Sequence, residues 1–234
     1  MRLTNAILLY QGNWQDSAGF CSVHPVQETP NGPVIGSGHP ASKSAILGLV
    51  QDLLPRNKQD QLEIIPANLL CKGAGFMAWY CKPQFRQLWF NNPKLGGQVT
   101  ANVPHPGIVF IVTQRQWYVF AVAGDERPEA NTELHVAPYF NVWDGGRICT
   151  GNVDVPKGKM KWNSKAWEEA FFRSNFTHPN IHEKNRLLRY AAGPIAFWRM
   201  MLEGKKKQFP QKALVATGKT LAQTLQSILK KEVS

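Results

Sequence analysis

The side chains able to do covalent or metal chemistry are few and scattered: four cysteines, Cys21, Cys71, Cys81 and Cys149, and six histidines, His24, His39, His105, His135, His178 and His182. No C-x-x-C pair occurs, so neither a zinc knuckle nor a dense disulfide framework is indicated and the cysteines read as thiols. The histidines form no H-E-x-x-H pattern. His178 and His182 have helical i, i+4 spacing, but Pro179 between them argues for a loop, so no metal site and no cofactor are expected. Cys149 stands apart, in "NVWDGGRICTGN" (residues 141–152), three residues beyond a turn and far from other reactive groups. A cysteine in that place can be a strand residue pointing into a core, half of a disulfide, a metal ligand or a nucleophile.

The elements that position it follow from the patterning. The chain has 234 residues, 43% of them hydrophobic, with 8 Trp and 12 Phe, enough to bury a sizeable core in one large domain or two small ones. The first 40 residues read as strands ("AILLY", "GFCSVHPV") ending in a long Pro/Gly-rich loop, "ETPNGPVIGSGHP". In "ASKSAILGLVQDLL", Ala45, Ile46, Leu49, Leu53 and Leu54 share a helical face, closed by Pro55. From residue 75 the period is that of strands: "FMAWYCKP", "FRQLWFN", "GIVFIVT", "QWYVFAVAG" and "ELHVAPYF". These runs lie too close together for parallel crossovers, which implies an antiparallel meander. No Gly-rich phosphate loop is present.

Beyond Cys149 the period becomes helical. Ser164 is placed to cap "KAWEEAFFRSN", with Glu168 and Glu169 near the positive end of the helix dipole. In "EKNRLLRYAAGPIAFWRMMLEG", Leu187, Leu188, Ala191, Ile195, Trp198 and Leu202 fall on one side, with a kink expected at Gly193-Pro194. The cluster Lys205, Lys206, Lys207 follows, and then an amphipathic tail bearing Leu221, Leu225, Ile228 and Leu229. Charge is segregated in the same way. Residues 1–156 hold eleven basic and eleven acidic residues, whereas residues 157–234 hold sixteen and five, the whole of the net +11. Such a region favours an acidic partner surface or a phosphate backbone. The apolar run near the N-terminus is too short for a signal peptide and no later stretch is long enough for a membrane span, so a cytoplasmic protein with no membrane partner is expected.

Helix, antiparallel meander, an irregular segment with one cysteine, then helices: this order resembles the ubiquitin-conjugating enzyme superfamily. Asn141, Val142, Gly146, Ile148 and Cys149 stand where that family has its Asn, an apolar residue, a turn Gly, an aliphatic residue and the catalytic Cys, with the family's eight-residue step from Asn to Cys. Tyr139-Phe140 replaces the family's His-Pro, and Thr150 its usual Leu. A literal "HPNI" at residues 178–181 lies beyond Cys149 and past an expected helix, and is set aside as coincidence. Loss of that His, with long flanking extensions, is similar to the divergent prokaryotic family D, protein B of the ParB-related, ThiF-related (PRTRC) cassette of bacterial plasmids and other mobile elements.

That resemblance implies an α+β fold: a ubiquitin-conjugating-enzyme-like antiparallel β-meander flanked by helices, with an N-terminal extension (1–70) packed on a core (71–204) and a basic C-terminal tail (205–234). It implies that Cys149 accepts a ubiquitin-like protein as a thioester from a ThiF-like activating enzyme, with a JAB-type deconjugating peptidase as a further partner. A thiolate is nucleophilic enough that no strong base need adjoin it. Asn141 is the candidate donor to the carbonyl oxyanion, and also a turn-stabilising residue. Gly145 and Gly146 supply positive φ in the turn, Asp144 and Asp154 are candidates to steer an incoming amine, and Arg147 to orient a carboxyl terminus. Two non-catalytic readings compete. In one the protein is an inactive scaffold for the ubiquitin-like partner. In the other, cations such as Lys205–Lys207 and the C-terminal aromatics grip single-stranded nucleic acid, although those aromatics fall where helix cores are expected.

Overall fold

The computed structural model describes residues 3–10, 20–42, 44, 46–48, 64–151, 153–182 and 186–233. Two compact units are present, Met1–Ile64 and Ile65–Ser234. In the first, β1 (Asn5–Tyr10), β2 (Phe20–Thr29), β3 (Gly32–Ile35) and β4 (His39–Pro40) form an antiparallel sheet around β2. The Pro/Gly-rich stretch expected to be a long loop is instead mostly paired. Thr29 and Gly32 face each other at the end of a hairpin, where Gly32 takes φ 109°, a conformation glycine adopts without steric cost. Of the helix expected at residues 41–54, residues 41 and 42 are irregular and residues 44 and 46–48 are helical; residues 43, 45 and 49–54, including Ala45, Leu49, Leu53 and Leu54, lie outside the described residues.

The second unit is a mixed α+β fold whose sheets are mostly antiparallel, as expected. Its strands are β5 (Leu69–Gly73), β6 (Phe76–Cys81), β7 (Gln84–Asn92), β8 (Gly97–His105), β9 (Gly107–Thr113), β10 (Trp117–Val122), β11 (Glu133–Val136), β12 (Asn175–Phe176) and β13 (Ala216–Thr220). Six of them form an antiparallel sheet in the order β13-β11-β10-β9-β6-β5. The hairpin β7–β8 leaves this sheet and, with β12 parallel to β7, forms a second sheet of three. Nothing in the sequence pattern marked β8, β12 or β13: "GQVTANVPH" is polar because only its last three residues are buried, and the other two are short pairings formed across long sequence separations.

Among the described residues, three α-helices complete the unit: α1 (Ser164–Phe172), α2 (Gly193–Leu202) and α3 (Leu221–Val233). Asn163, not Ser164, caps α1, its side chain accepting from the Ala166 N–H at 3.3 Å. Gly193-Pro194 does not kink a long helix. It starts α2, with Pro194 in the first turn, where the missing N–H has no intrahelical role. Residues 186–192 are turns and irregular backbone, yet Leu187 and Leu188 are buried all the same.

Both faces of the large sheet are covered, which is why "GIVFIVT" is buried at every position and does not alternate. On one face, Trp79, Phe110, Trp117 and Val119 pack with Phe171 and Phe172 of α1 and with Phe197 and Trp198 of α2 in the main core. On the other, Ala78, Val109, Ile111 and Phe120 pack with Leu221, Leu225 and Ile228 of α3. The amphipathic tail therefore docks on its own sheet. Glu168 fastens α1 to the strands: it accepts from Trp79 Nε1 at 3.1 Å and pairs with Arg86 at 3.0 Å. Burial raises the Glu168 carboxyl above its ordinary value, and the Arg86 guanidinium only partly opposes this.

Candidate functional site

Residues 141–149 form a miniature hairpin. Val142 and Ile148 bridge, the Trp143 N–H donates to Arg147 O at 2.8 Å, and the Cys149 N–H donates to Asn141 O at 2.7 Å. The Gly146 N–H closes the turn on Trp143 O at 2.9 Å, and Gly145 and Gly146 take φ of 84° and 83°. A side chain at Gly145 would meet open space, whereas a Cβ on Gly146 would lie 2.5 Å from the Phe120 ring. β11 pairs only with Phe120 and Ala121 of β10, so the first half of that edge takes the hairpin: the Ile148 N–H donates to Trp117 O (2.8 Å) and the Val119 N–H to Gly146 O (2.9 Å). Val142 and Ile148 are buried beneath it. The hairpin is thus stitched to the sheet, and Cys149 emerges from its end with its side chain exposed.

Asn141, at the other end, has φ 61°, alone among the described non-glycine residues in taking a positive value. Asparagine tolerates this conformation better than most residues. Its side chain reaches the returning strand β12: Nδ2 donates to Asn175 O at 2.8 Å, and Oδ1 accepts from the Thr177 N–H at 3.2 Å and the Thr177 hydroxyl at 2.8 Å. Its backbone N–H donates to His178 O at 3.0 Å. Beside this, His178 Nδ1 lies 2.9 Å from Thr177 Oγ1.

Cys149, Asn141, Thr177 and His178 line one open groove of about 1060 Å³, walled on one side by α1 and on the other by the segment after Cys149. Asp154, Lys157, Glu169 and Arg173 give it both signs of charge. Of the residues singled out in the sequence, the groove brings together Cys149, Asn141 and Asp154. Asp144, Gly145 and Arg147 line depressions elsewhere. Asp144 pairs with Arg186 at 2.8 Å, and the Arg147 guanidinium lies over the Trp143 ring. Gly146 stands with Asp144 and Gly145 behind the turn. Lys205, Lys206 and Lys207 are exposed past α2, Lys205 paired with Glu203 at 3.0 Å.

His178 is the groove residue that the sequence reading set aside. The local signal, the HPNI run, stands on the wrong side of Cys149 in sequence; His178 comes to the groove through the pairing of β12 with β7, more than eighty residues apart, and through the hydrogen bonds of Asn141 to residues 175–178. The other thiols differ from Cys149. Cys81 is buried and pushed up to about 11, first by burial and then by the Glu168 charge, and burial also raises Cys71. Trp167, Phe171, Phe172, Phe176, Phe197 and Trp198 are buried, so these six offer no stacking face to nucleic acid. Among the described residues no group of three or more His, Cys, Asp or Glu could hold a metal ion, and no helix is long and apolar enough to cross a membrane.

No curated protein and no solved structure shows significant similarity to the chain. The model of prokaryotic E2 family D matches residues 46–217, a span that includes the cysteine hairpin, the groove and the sheet behind them. With nearly three-quarters of its length matched, and with a largely antiparallel α+β fold carrying an exposed cysteine beside an asparagine turn, the chain belongs to prokaryotic E2 family D, a ubiquitin-conjugating-type family.

Proposed function

We propose that the protein accepts the C-terminal carboxyl of a ubiquitin-like protein as a thioester on Cys149, from a ThiF-like activating enzyme, and passes it to an acceptor amine. The observation that carries this reading is the exposed Cys149 thiol at the end of a braced hairpin, opening on a groove of about 1060 Å³. Charging is a thiol exchange: the Cys149 thiolate attacks the thioester carbonyl on the activating enzyme, and that enzyme's sulfur leaves.

Asn141 then serves twice. One Nδ2 proton is held by Asn175 O; the other is available to the carbonyl oxygen as it gains charge on amine attack, a donor worth about 3 kcal/mol in acyl transfer. Asp154, in the groove, attracts the acceptor ammonium, while Arg147 and Asp144 act outside it, on the face of the turn that a partner meets. A JAB-type peptidase would reverse the conjugation. The test is to mix the protein with the ThiF-like enzyme, the ubiquitin-like protein and ATP. A thiol-reducible adduct lost in Cys149→Ala supports the reading, and an adduct that persists in Cys149→Ala overturns it.

A further inference from the structure

The hydrogen bonds around Asn141 determine where the proton sits on His178. Two backbone groups orient the Asn141 amide: Asn175 O can only accept, so it faces Nδ2, and the Thr177 N–H can only donate, so it faces Oδ1. The Thr177 hydroxyl, 2.8 Å from Oδ1, must then spend its one proton on Asn141. That leaves Thr177 Oγ1 able only to accept from His178 Nδ1, 2.9 Å away. In the neutral ring Nδ1 therefore carries the hydrogen and Nε2 the lone pair. His178 lies exposed on the wall of the Cys149 groove, so the lone-pair nitrogen belongs to a side chain that lines the site of reaction.

We propose that His178 is the base that deprotonates the amine attacking the Cys149 thioester. This rests on the reading that Cys149 carries that thioester. The acceptor ammonium first releases one proton to water; the neutral amine nitrogen then bonds to the carbonyl carbon, its second proton passes to His178 Nε2, and the carbon–sulfur bond breaks with its electron pair going to Sγ. The products are an amide, the Cys149 thiolate and an imidazolium, which then returns the proton to the thiolate or to water. The groove carboxylates Asp154 and Glu169 complement this role, because a carboxylate attracts an ammonium well but is a weak acceptor for its proton, whereas imidazole is the side chain best matched to proton transfer near neutral pH. Asn141 and Thr177 are positioning residues here: they hold the ring in one tautomer and tie it to the hairpin that presents Cys149.

Two experiments test it. Ring-nitrogen NMR of ¹⁵N-histidine-labelled protein should find neutral His178 protonated on Nδ1, and Thr177→Val should remove that preference; a native ring protonated on Nε2 overturns the wiring. In single-turnover discharge of the preformed thioester to free lysine, His178→Ala should charge normally but discharge about 10²–10⁴-fold more slowly, with added imidazole restoring part of the rate. Normal charging shows that the variant is folded. Discharge at the native rate, or slow discharge that imidazole does not restore, overturns the assignment to His178 and leaves the Cys149 reading intact. A native protein that never charges removes both.

Discussion

Alanine at Gly146 should be far more damaging than alanine at its neighbour Gly145, although both residues have the same backbone conformation. Each sits near φ 84°, where an L-residue costs about 1–2 kcal/mol. At Gly145 that is the whole penalty, because a Cβ there has nothing within 4 Å. At Gly146 the Cβ would lie 2.5, 2.6 and 3.0 Å from three atoms of the Phe120 ring, a ring buried between the sheet and α3. Overpacking of that kind adds about 1–3 kcal/mol, so Gly146→Ala should lose about 2–5 kcal/mol in total. At roughly 2–4 °C per kcal/mol for a unit of this size, its Tm should fall by about 4–20 °C, against about 2–8 °C for Gly145→Ala. Tryptophan fluorescence during thermal or urea unfolding reads both. The same strain should pull the hairpin off β10 and slow charging of Cys149 in Gly146→Ala, with Gly145→Ala charging near the native rate. Equal melting temperatures for the two variants would refute the packing of Phe120 beneath the turn.

Burial holds the His105 ring at about 4 against an ordinary 6.5, with the nearby Arg86 charge adding to the effect and the hydrogen bond to Pro106 O opposing it. As pH falls from 6.5 the unfolded chain takes up the proton first, so stability is full above about 6.5 and drops by roughly 3 kcal/mol as pH passes through 4. His105→Phe, which keeps a ring against Phe172, should flatten that decline in urea titrations at pH 4–7, though not abolish it, since burial also lowers His135. Iodoacetamide at neutral pH should modify Cys149 in the native protein while Cys81, buried and raised to about 11, reacts only on unfolding; peptide mapping distinguishes them. Reversing Lys205, Lys206 and Lys207 to Glu should weaken binding of the ubiquitin-like protein or its activating enzyme mainly at low salt, where screening is least, and unchanged binding there would leave the cluster as solvated surface.

What could be read from the sequence were the features written in local pattern. The strands β6, β7, β9 and β10 announce themselves as aromatic and β-branched runs, β11 as the start of a run whose aromatics, Tyr139 and Phe140, lie beyond the strand, and the Asn-to-Cys step with its two glycines marks a turn that presents a cysteine. What could not be read depends on contacts between distant segments. The two-residue β12 and the short β13 exist because β7 and β11 offer open edges, and His178 enters the groove only when β12 pairs. α2 starts later than the pattern suggests for a related reason: Leu187 and Leu188 fit a helical period, but they are buried from an irregular segment, so burial without helix imitates the pattern. Asp144 and Arg147 stand out because they adjoin Cys149 in sequence, but they sit at the tip of the hairpin and line depressions other than the Cys149 groove.

The central claim, that Cys149 carries an acyl group, is tested most directly by intact-mass spectrometry of the protein after incubation with the ThiF-like enzyme, the ubiquitin-like protein and ATP. The account predicts a one-to-one adduct, lost on treatment with thiol and absent in Cys149→Ala, and converted to a thiol-stable ester in Cys149→Ser because an alkoxide leaves less readily than a thiolate. An adduct of the same mass on Cys149→Ala, or none on the native protein with a fully charged activating enzyme, would contradict it.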